Sequence, residues 1–415
     1  MALSKNPQRI AALSLLSSSA VRERAQELLG IGLAGGLEHF RLDLARLAPT
    51  AAYVAKVIRE NYPDLKVPLH ARWRHFVLGG RDLWTEIAAK AHWPHPASRA
   101  RAAFDLAVVS VLLDAGAGAD WRYRDEATGL AIGRSEGLAL ASLRMFEAGL
   151  FSADAREPLR AHATRLASLT TADLESGFQV GPDNPLAGLA GRAALLARLG
   201  RCLLDQPAIF GTGDAARPGV LFDRFAASAE RKPLPATDLL QALLLALGPI
   251  WRGRATLGGI SLGDTWRHRA IKRADATDGL VPLHKLTQWL AYSLIEPLQA
   301  AGITVDDIDG LTGLAEYRNG GLFVDSGVLV LRDPTQTQRA HAVDAELIVE
   351  WRALTVALLD RLAPLVREAL GVSAQQFSLG QVLEGGTWAA GRKLAAEKRE
   401  GGGPPFRVVS DATVF

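Results

Sequence analysis

Apolar residues recur at three- and four-residue spacing along almost the whole chain, and strict alternation is nearly absent. That period predicts helices. The clearest case is 281–302, where Leu283, Leu286, Leu290, Leu294 and Leu298 form a core-facing stripe. Pro282 suits a first helical turn and Gly302 a C-terminal cap, so a helix of about five turns is expected there. His284, Gln288, Tyr292 and Glu296 recur every fourth residue on a second face. A solvated face carries Lys, Glu and Arg, so this one reads as a candidate cavity wall. The same period predicts helices over 7–47 (with Ser17–Ser19 as a cap before Val21–Leu29), 50–62, 101–114, 154–169, 189–204, 237–247 and 339–370, the last kinked before Pro364. Another starts at Glu384. Only Leu322–Val324 and Val328–Leu331, about Asp325-Ser326-Gly327, read as a β-hairpin. The fold class expected is mainly α, a two-lobed helical globule with one small β-hairpin. A Gly- and Pro-rich stretch at 206–235 divides it into lobes 1–205 and 235–415.

Composition changes this picture little. Hydrophobic residues make up 48% of the chain and charged ones 22%, as in ordinary globular proteins. The formal charge is +3, Arg outnumbers Lys, and no basic block stands out, which argues against a nucleic acid polymer as partner. Excess Arg favours a small ligand carrying phosphate or carboxylate, which its planar fork grips with two bonds. Cys202 is the sole cysteine, so no intrachain disulfide forms, and a cytoplasmic location is expected. Lys5 and Arg9 before Ile10–Leu16 loosely imitate a signal peptide, but a charged helix follows at once, so none is expected. No apolar run reaches the roughly twenty residues of a membrane span, and no membrane partner is expected.

Candidate chemistry lies in four polar-aromatic clusters. Arg72, Trp73, Arg74 and His75, followed by Phe76, suit clamping of a flat anionic ligand, with a basic surface turn anchored by Trp73 as the alternative. Asp264, Trp266 and His268 suit acid–base work, sugar binding or an Asp-capped turn. His284 and Gln288 stand on the polar helix face. Glu316, Tyr317 and Arg318 precede a glycine pair, which permits close ligand approach; a helix C-cap with a surface salt bridge is the plainer alternative. Ser135 opens a helix whose free amides suit an anion or simply its cap. Asp325 reads as a turn residue, and Glu346 and Glu350 as a solvated pair. Gly30–Gly35 is formally GxGxxG but follows a helix, so no nicotinamide cofactor is expected. No Ser-His-Asp elbow, P-loop, HExxH or CxxC occurs.

Several segments together carry a resemblance. HARWRHF, YRDEATG with GRSEGLALASLRMF, NPLAGLAGRAALLARLG, RPGVLFDRF, GDTWRH, VPLHKLTQWLAYSLIEPL, LTGLAEYRNGGLFVDSGVL, VEWRALTVALLD and LEGGTWAAGRKLAAEKR stand between Pro7 and Phe415. The chain resembles the uracil-catabolism protein four family over nearly its whole length, as one domain over 1–415. Ala412 departs from the Gly expected there. The resemblance implies a role in degrading uracil through a ribosylurea-type intermediate. A fainter similarity, in Glu316-Tyr317-Arg318 and the helix bearing Lys285 and Gln288, points to queuosine-salvage nucleotide hydrolases. It implies a relation to helical DNA-glycosylase-like folds.

The expected activity is hydrolysis of the N-glycosidic bond of a ribosylurea or related nucleotide, without cofactor or metal. A non-catalytic ligand-binding or scaffolding protein is the alternative. A metal-dependent amidohydrolase using His75, His268 or His284 is the third. In the hydrolase reading Glu316, then Asp264, is the carboxylate that acts at the sugar. Arg72, Arg74 and Arg318 hold phosphate or carbonyl, Trp73 and Trp266 cover the ligand, and His268 or His284 supplies a proton.

Overall fold

The computed structural model describes residues 6–409 apart from 115, 119, 231 and 252. Lys5, Ala412 and part of the loop between Asp114 and Trp121 therefore lie outside the described residues. Helix accounts for 57% of the structure, and among the described residues strands occur only in two-stranded pairs. The fold is mainly α. No helix among them is long and apolar enough to cross a membrane.

The chain forms two compact units. One comprises the chain up to His70, Gly253–Gln288 and Asp307–Val409; the other comprises 71–251 and Trp289–Asp306. The segment 206–235 carries the helices Pro207–Phe210 and Leu221–Ala229 inside the second unit, so the units do not part there.

The first unit is built around the helix Glu346–Leu370, which packs against Ser18–Leu33 and Leu47–Asn61. It starts later than the spacing suggested, because 340–342 pairs as a strand with Arg407–Val409. Every residue from Leu347 to Leu359 is buried, so this stretch of the helix is enclosed on all sides. Gly371 ends it in the left-handed conformation (φ 75°), and Pro364 lies inside it. Ser17 caps Ser18–Leu33 by accepting from the Ala20 amide at 3.1 Å. That helix runs through Gly30 and Gly32, so no strand precedes the glycines.

The expected hairpin does not form. Leu322–Val324 belongs to the helix Tyr317–Asp325, and Leu329–Leu331 pairs antiparallel with the distant Phe40–Leu42. Three apolar residues fit either period, and a cap at Glu316 decides for helix. Asp325 is the last helical residue and pairs with Arg399 at 2.6 Å rather than shaping a turn. Pro282 likewise sits in the strand Leu280–Pro282, paired with Thr265–Arg267, and the helix begins at Lys285.

In the second unit the apolar run predicted as a buried helix is one, Pro96–Leu112, packed against Arg134–Glu147, Leu189–Leu204 and Leu221–Ala229. A second anchor involves the helix Lys285–Ala300, which contains Pro297. Proline has no amide hydrogen, so the carbonyl four residues earlier, on Ser293, gains no helical donor. The Trp73 indole Nε1–H donates to that carbonyl at 2.6 Å, and the Arg72 amide donates to Ser293 Oγ at 2.9 Å. One proline thus fixes where the Arg72–Phe76 turn attaches. Replacing Trp73 by Phe leaves a buried carbonyl unpaired, and chemical denaturation should register a loss of about 1–3 kcal/mol beyond the small volume change. An unchanged unfolding midpoint would mean that this bond does not anchor the turn.

Candidate functional site

In the first unit three consecutive residues of the helix Glu346–Leu370, namely Glu350, Trp351 and Arg352, hold the segments that carry the predicted Asp264, Trp266, His268 and Glu316. Tyr317 and Arg318 follow Glu316 in sequence, and His284 and Gln288 stand at the start of Lys285–Ala300. Glu350, Trp351 and Arg352 are at most 1% exposed, and each reaches a different segment.

Arg352 makes the central contact. Its Nη1 and Nη2 donate to Oδ1 and Oδ2 of Asp264, both at 2.8 Å, and its Nε donates to the Ala315 carbonyl at 3.1 Å. Ala315 immediately precedes Glu316, so one guanidinium ties both candidate carboxylate segments together. The Asp264 carboxylate also accepts from the Trp266 indole at 2.6 Å and the Lys285 amide at 2.9 Å. Burial alone would raise this carboxyl, but the Arg352 charge and its fork, the amide and the indole hold it well below the usual carboxylate range. Four donors fill a carboxylate's four acceptor positions. Asp264 therefore anchors Arg352 and the start of Lys285–Ala300, with no acceptor left for a substrate.

Glu316 is placed differently. It caps Tyr317–Asp325: Oε2 accepts from the Arg318 amide at 2.7 Å and Oε1 from the Asn319 amide at 2.6 Å. A carboxylate at a helix N-terminus gains from the helix dipole as well as from these bonds. Two acceptor positions stay open, and the residue is 7% exposed. The Arg318 guanidinium lies 4.8 Å from the Tyr317 ring centroid and donates to the Gly402 carbonyl at 2.7 Å. The glycine pair has a packing cause within the helix: a Cβ on Gly320 would stand 2.7 Å from Trp351, whose indole donates to the Gly320 carbonyl.

His268 donates from Nε2 to Glu350 at 3.1 Å, and its Nδ1 accepts from the Ala270 amide at 3.2 Å, which fixes the tautomer. Glu350 also accepts from the Phe40 amide at 2.9 Å and is fully buried, so it is not the solvated acid its spacing from Glu346 suggested. His284 takes a left-handed backbone (φ 48°) just before the helix and donates from Nε2 to the Leu15 carbonyl at 2.9 Å. Burial lowers its pKa, and its Nδ1 is buried without a partner. With the Nε2 proton committed to Leu15, His284 offers a lone pair rather than a proton. Gln288 is fully buried and exchanges two bonds with Thr312.

The second unit holds the remaining predicted residues. Arg72 is fully buried, pairs with Asp114 at 2.9 Å and donates to Ser110 at 2.6 Å and to His75 Nδ1 at 3.2 Å. Asp114 also accepts from Ser135 at 2.6 Å, so a carboxylate of the chain itself occupies the spot suspected of holding an anion. Arg74 pairs with Glu296 at 2.5 Å. Among the described residues no group of three His, Cys, Asp or Glu is arranged to hold a metal ion.

Sequence reasoning missed Arg352 and Glu350. Their signal was present: Glu350 and Arg352 interrupt an otherwise apolar run, Leu347-Ile348-Val349 before and Ala353-Leu354 after.

These features define a helical protein with a buried carboxylate–guanidinium network at the mouth of a capped helix. Residues 14–415 match the family described as "Protein of unknown function (DUF1688)", and the chain belongs to that family. It is 39% identical over 411 residues to "Protein urg3" of Schizosaccharomyces pombe, covering 97% of this chain and 98% of that one. It is 36% identical over 436 residues to "Uracil catabolism protein 4" of Lachancea kluyveri, covering 96% and 98% respectively.

Changing Arg352 to Met leaves Asp264 charged, buried and unpaired, and should cost about 3–5 kcal/mol in urea unfolding at pH 7. The Asp264→Asn variant carries the pH signature. Because the folded carboxyl lies below its unfolded value, its contribution is present above about pH 4 and declines as pH falls below that. The stability gap between wild type and Asp264→Asn should therefore narrow on acidification. A gap that stays constant down to pH 2.5 would contradict the assigned ionisation.

Proposed function

We propose that this protein acts in uracil catabolism as a hydrolase that cleaves the N-glycosidic bond of a ribosylurea or a closely related nucleoside or nucleotide. The pathway part is supported by the relative named for uracil catabolism, which aligns with almost the entire chain. The reaction part rests on one observation: Glu316 is held at a helix N-terminus with two acceptor positions unfilled.

In this reading water attacks ribose C1′, the C1′–N bond breaks, and its electron pair leaves with the urea nitrogen, which takes up a proton. Products are urea and ribose, or its phosphate. Positive charge develops on the sugar, and an adjacent carboxylate stabilises it or receives the proton of the attacking water. Glu316 takes that role. Arg318 and Tyr317 flank the ligand, and the unfilled Nδ1 of His284 accepts from a ligand N–H or O–H. Asp264 acts through Arg352, holding the Ala315–Glu316 turn in place. Trp266 and His268 support that framework through Asp264 and Glu350.

Purified protein incubated with ribosylurea and with its 5′-phosphate should release urea and sugar in equal amounts. Glu316→Gln should lower kcat by about a hundredfold or more, while weaker capping costs only about 1 kcal/mol of stability. A variant that is merely less stable but turns over normally per folded molecule would place Glu316 as a cap and nothing else. If the wild type binds these compounds without releasing urea, the protein is a binding component of the pathway.

A further inference from the structure

The second unit contains a cleft of about 410 Å³ that the proposed reaction does not use. Its volume lies within the range of small-molecule sites. Trp73, Trp84 and Trp93 line it, together with Ala100, Ala103 and Pro297. Trp73 and Trp84 are 7% and 6% exposed, and their ring centroids lie 6.0 Å apart. The indole N–H of Trp73 is spent on Ser293, and that of Trp93 on the Ala88 carbonyl at 2.7 Å. What those two rings still offer is carbon surface.

Polar groups enter at defined points. Arg74 lines the cleft with Nη2 on Glu296, while its Nε is buried and has no hydrogen-bond partner. An orphaned charged donor on the wall of a cavity calls for an acceptor from outside the chain. Arg99, also lining the cleft, is exposed and makes no ion pair among the described residues. Glu296 places a carboxylate at the same opening, as does Asp82, which also caps the helix Leu83–Lys90 by accepting from the Thr85 amide and hydroxyl.

We propose that this cleft binds a planar heterocycle bearing carbonyl acceptors and ring N–H donors, of nucleobase size. The indoles stack on the ring, Arg74 Nε donates to a carbonyl, and the carboxylates accept from ring nitrogens. The proposal stands on the second unit alone and is independent of Glu316.

The test is titration of full-length protein with uracil, following tryptophan fluorescence and heat. Urea serves as a probe with the carbonyl but no ring. Uracil should bind saturably at one site and urea should not. Arg74→Lys keeps the charge for Glu296 but removes the Nε donor, and should weaken binding about tenfold. Ala300 lies exposed at the edge of the cleft, so Ala300→Trp fills its mouth without disturbing the core, and should abolish binding. Glu316→Gln should bind as the wild type does. No saturable uracil binding at roughly millimolar concentrations, binding that survives both cleft substitutions, or binding lost in Glu316→Gln would each overturn the assignment.

Discussion

A guanidinium buried near the start of a central helix has to find an anion, and Arg352 finds Asp264. The two lie 88 residues apart in sequence and make two 2.8 Å bonds inside the first unit. Everything assigned there depends on that pairing. Asp264 is presented by a short strand pair and also receives the first amide of Lys285–Ala300, so the ion pair fixes where that helix begins. The third Arg352 donor fixes the carbonyl before Glu316, so the same pair fixes where Tyr317–Asp325 begins. Two helix starts and two carboxylates are located by one side chain. Such a pair adds little net stability over an apolar replacement, yet removing one partner is costly; its contribution is positional.

The two carboxylates then differ in a way that residue type alone does not predict. Asp264 has four donors and is saturated; Glu316 has two and is not. A carboxylate that is buried and incompletely satisfied has capacity left for a ligand. This asymmetry separates the anchoring acid from the one assigned to chemistry. His284 fits the same logic in reverse: a left-handed backbone turns its ring toward the Leu15 carbonyl and leaves Nδ1 unsatisfied. Non-glycine residues in that conformation are uncommon and cluster where structure constrains them.

Much of this was legible in the sequence where the signal is local. Helical periodicity located the long elements, including the buried Pro96–Leu112, and Ser17 was readable as a cap. Glu316 was readable as a helix-end residue and a candidate acid, but the cap expected there was C-terminal, whereas Glu316 opens Tyr317–Asp325 as its N-cap. Failures occurred where partners lie far away in sequence. Glu350 looked solvated because a pair of acids four apart usually is, and its partners, Phe40 and His268, carry no local trace. Leu322–Val324 looked like a strand because three apolar residues fit either period, and its apparent partner Leu329–Leu331 pairs instead with Phe40–Leu42. The Trp73 anchor required knowing that Pro297 frees a carbonyl and that a turn more than two hundred residues away supplies the donor.

The chemistry assigned to Glu316 requires that water add to the sugar and not to the carbonyl. Turnover of ribosylurea in ¹⁸O-labelled water, with prompt borohydride trapping of the sugar, reads this directly. Cleavage of the C1′–N bond predicts label on C1′ of the trapped sugar and unlabelled urea. Label in a carbonyl-derived product, with ammonia released and the sugar unlabelled, would show attack at the urea carbon and contradict the glycosidic mechanism.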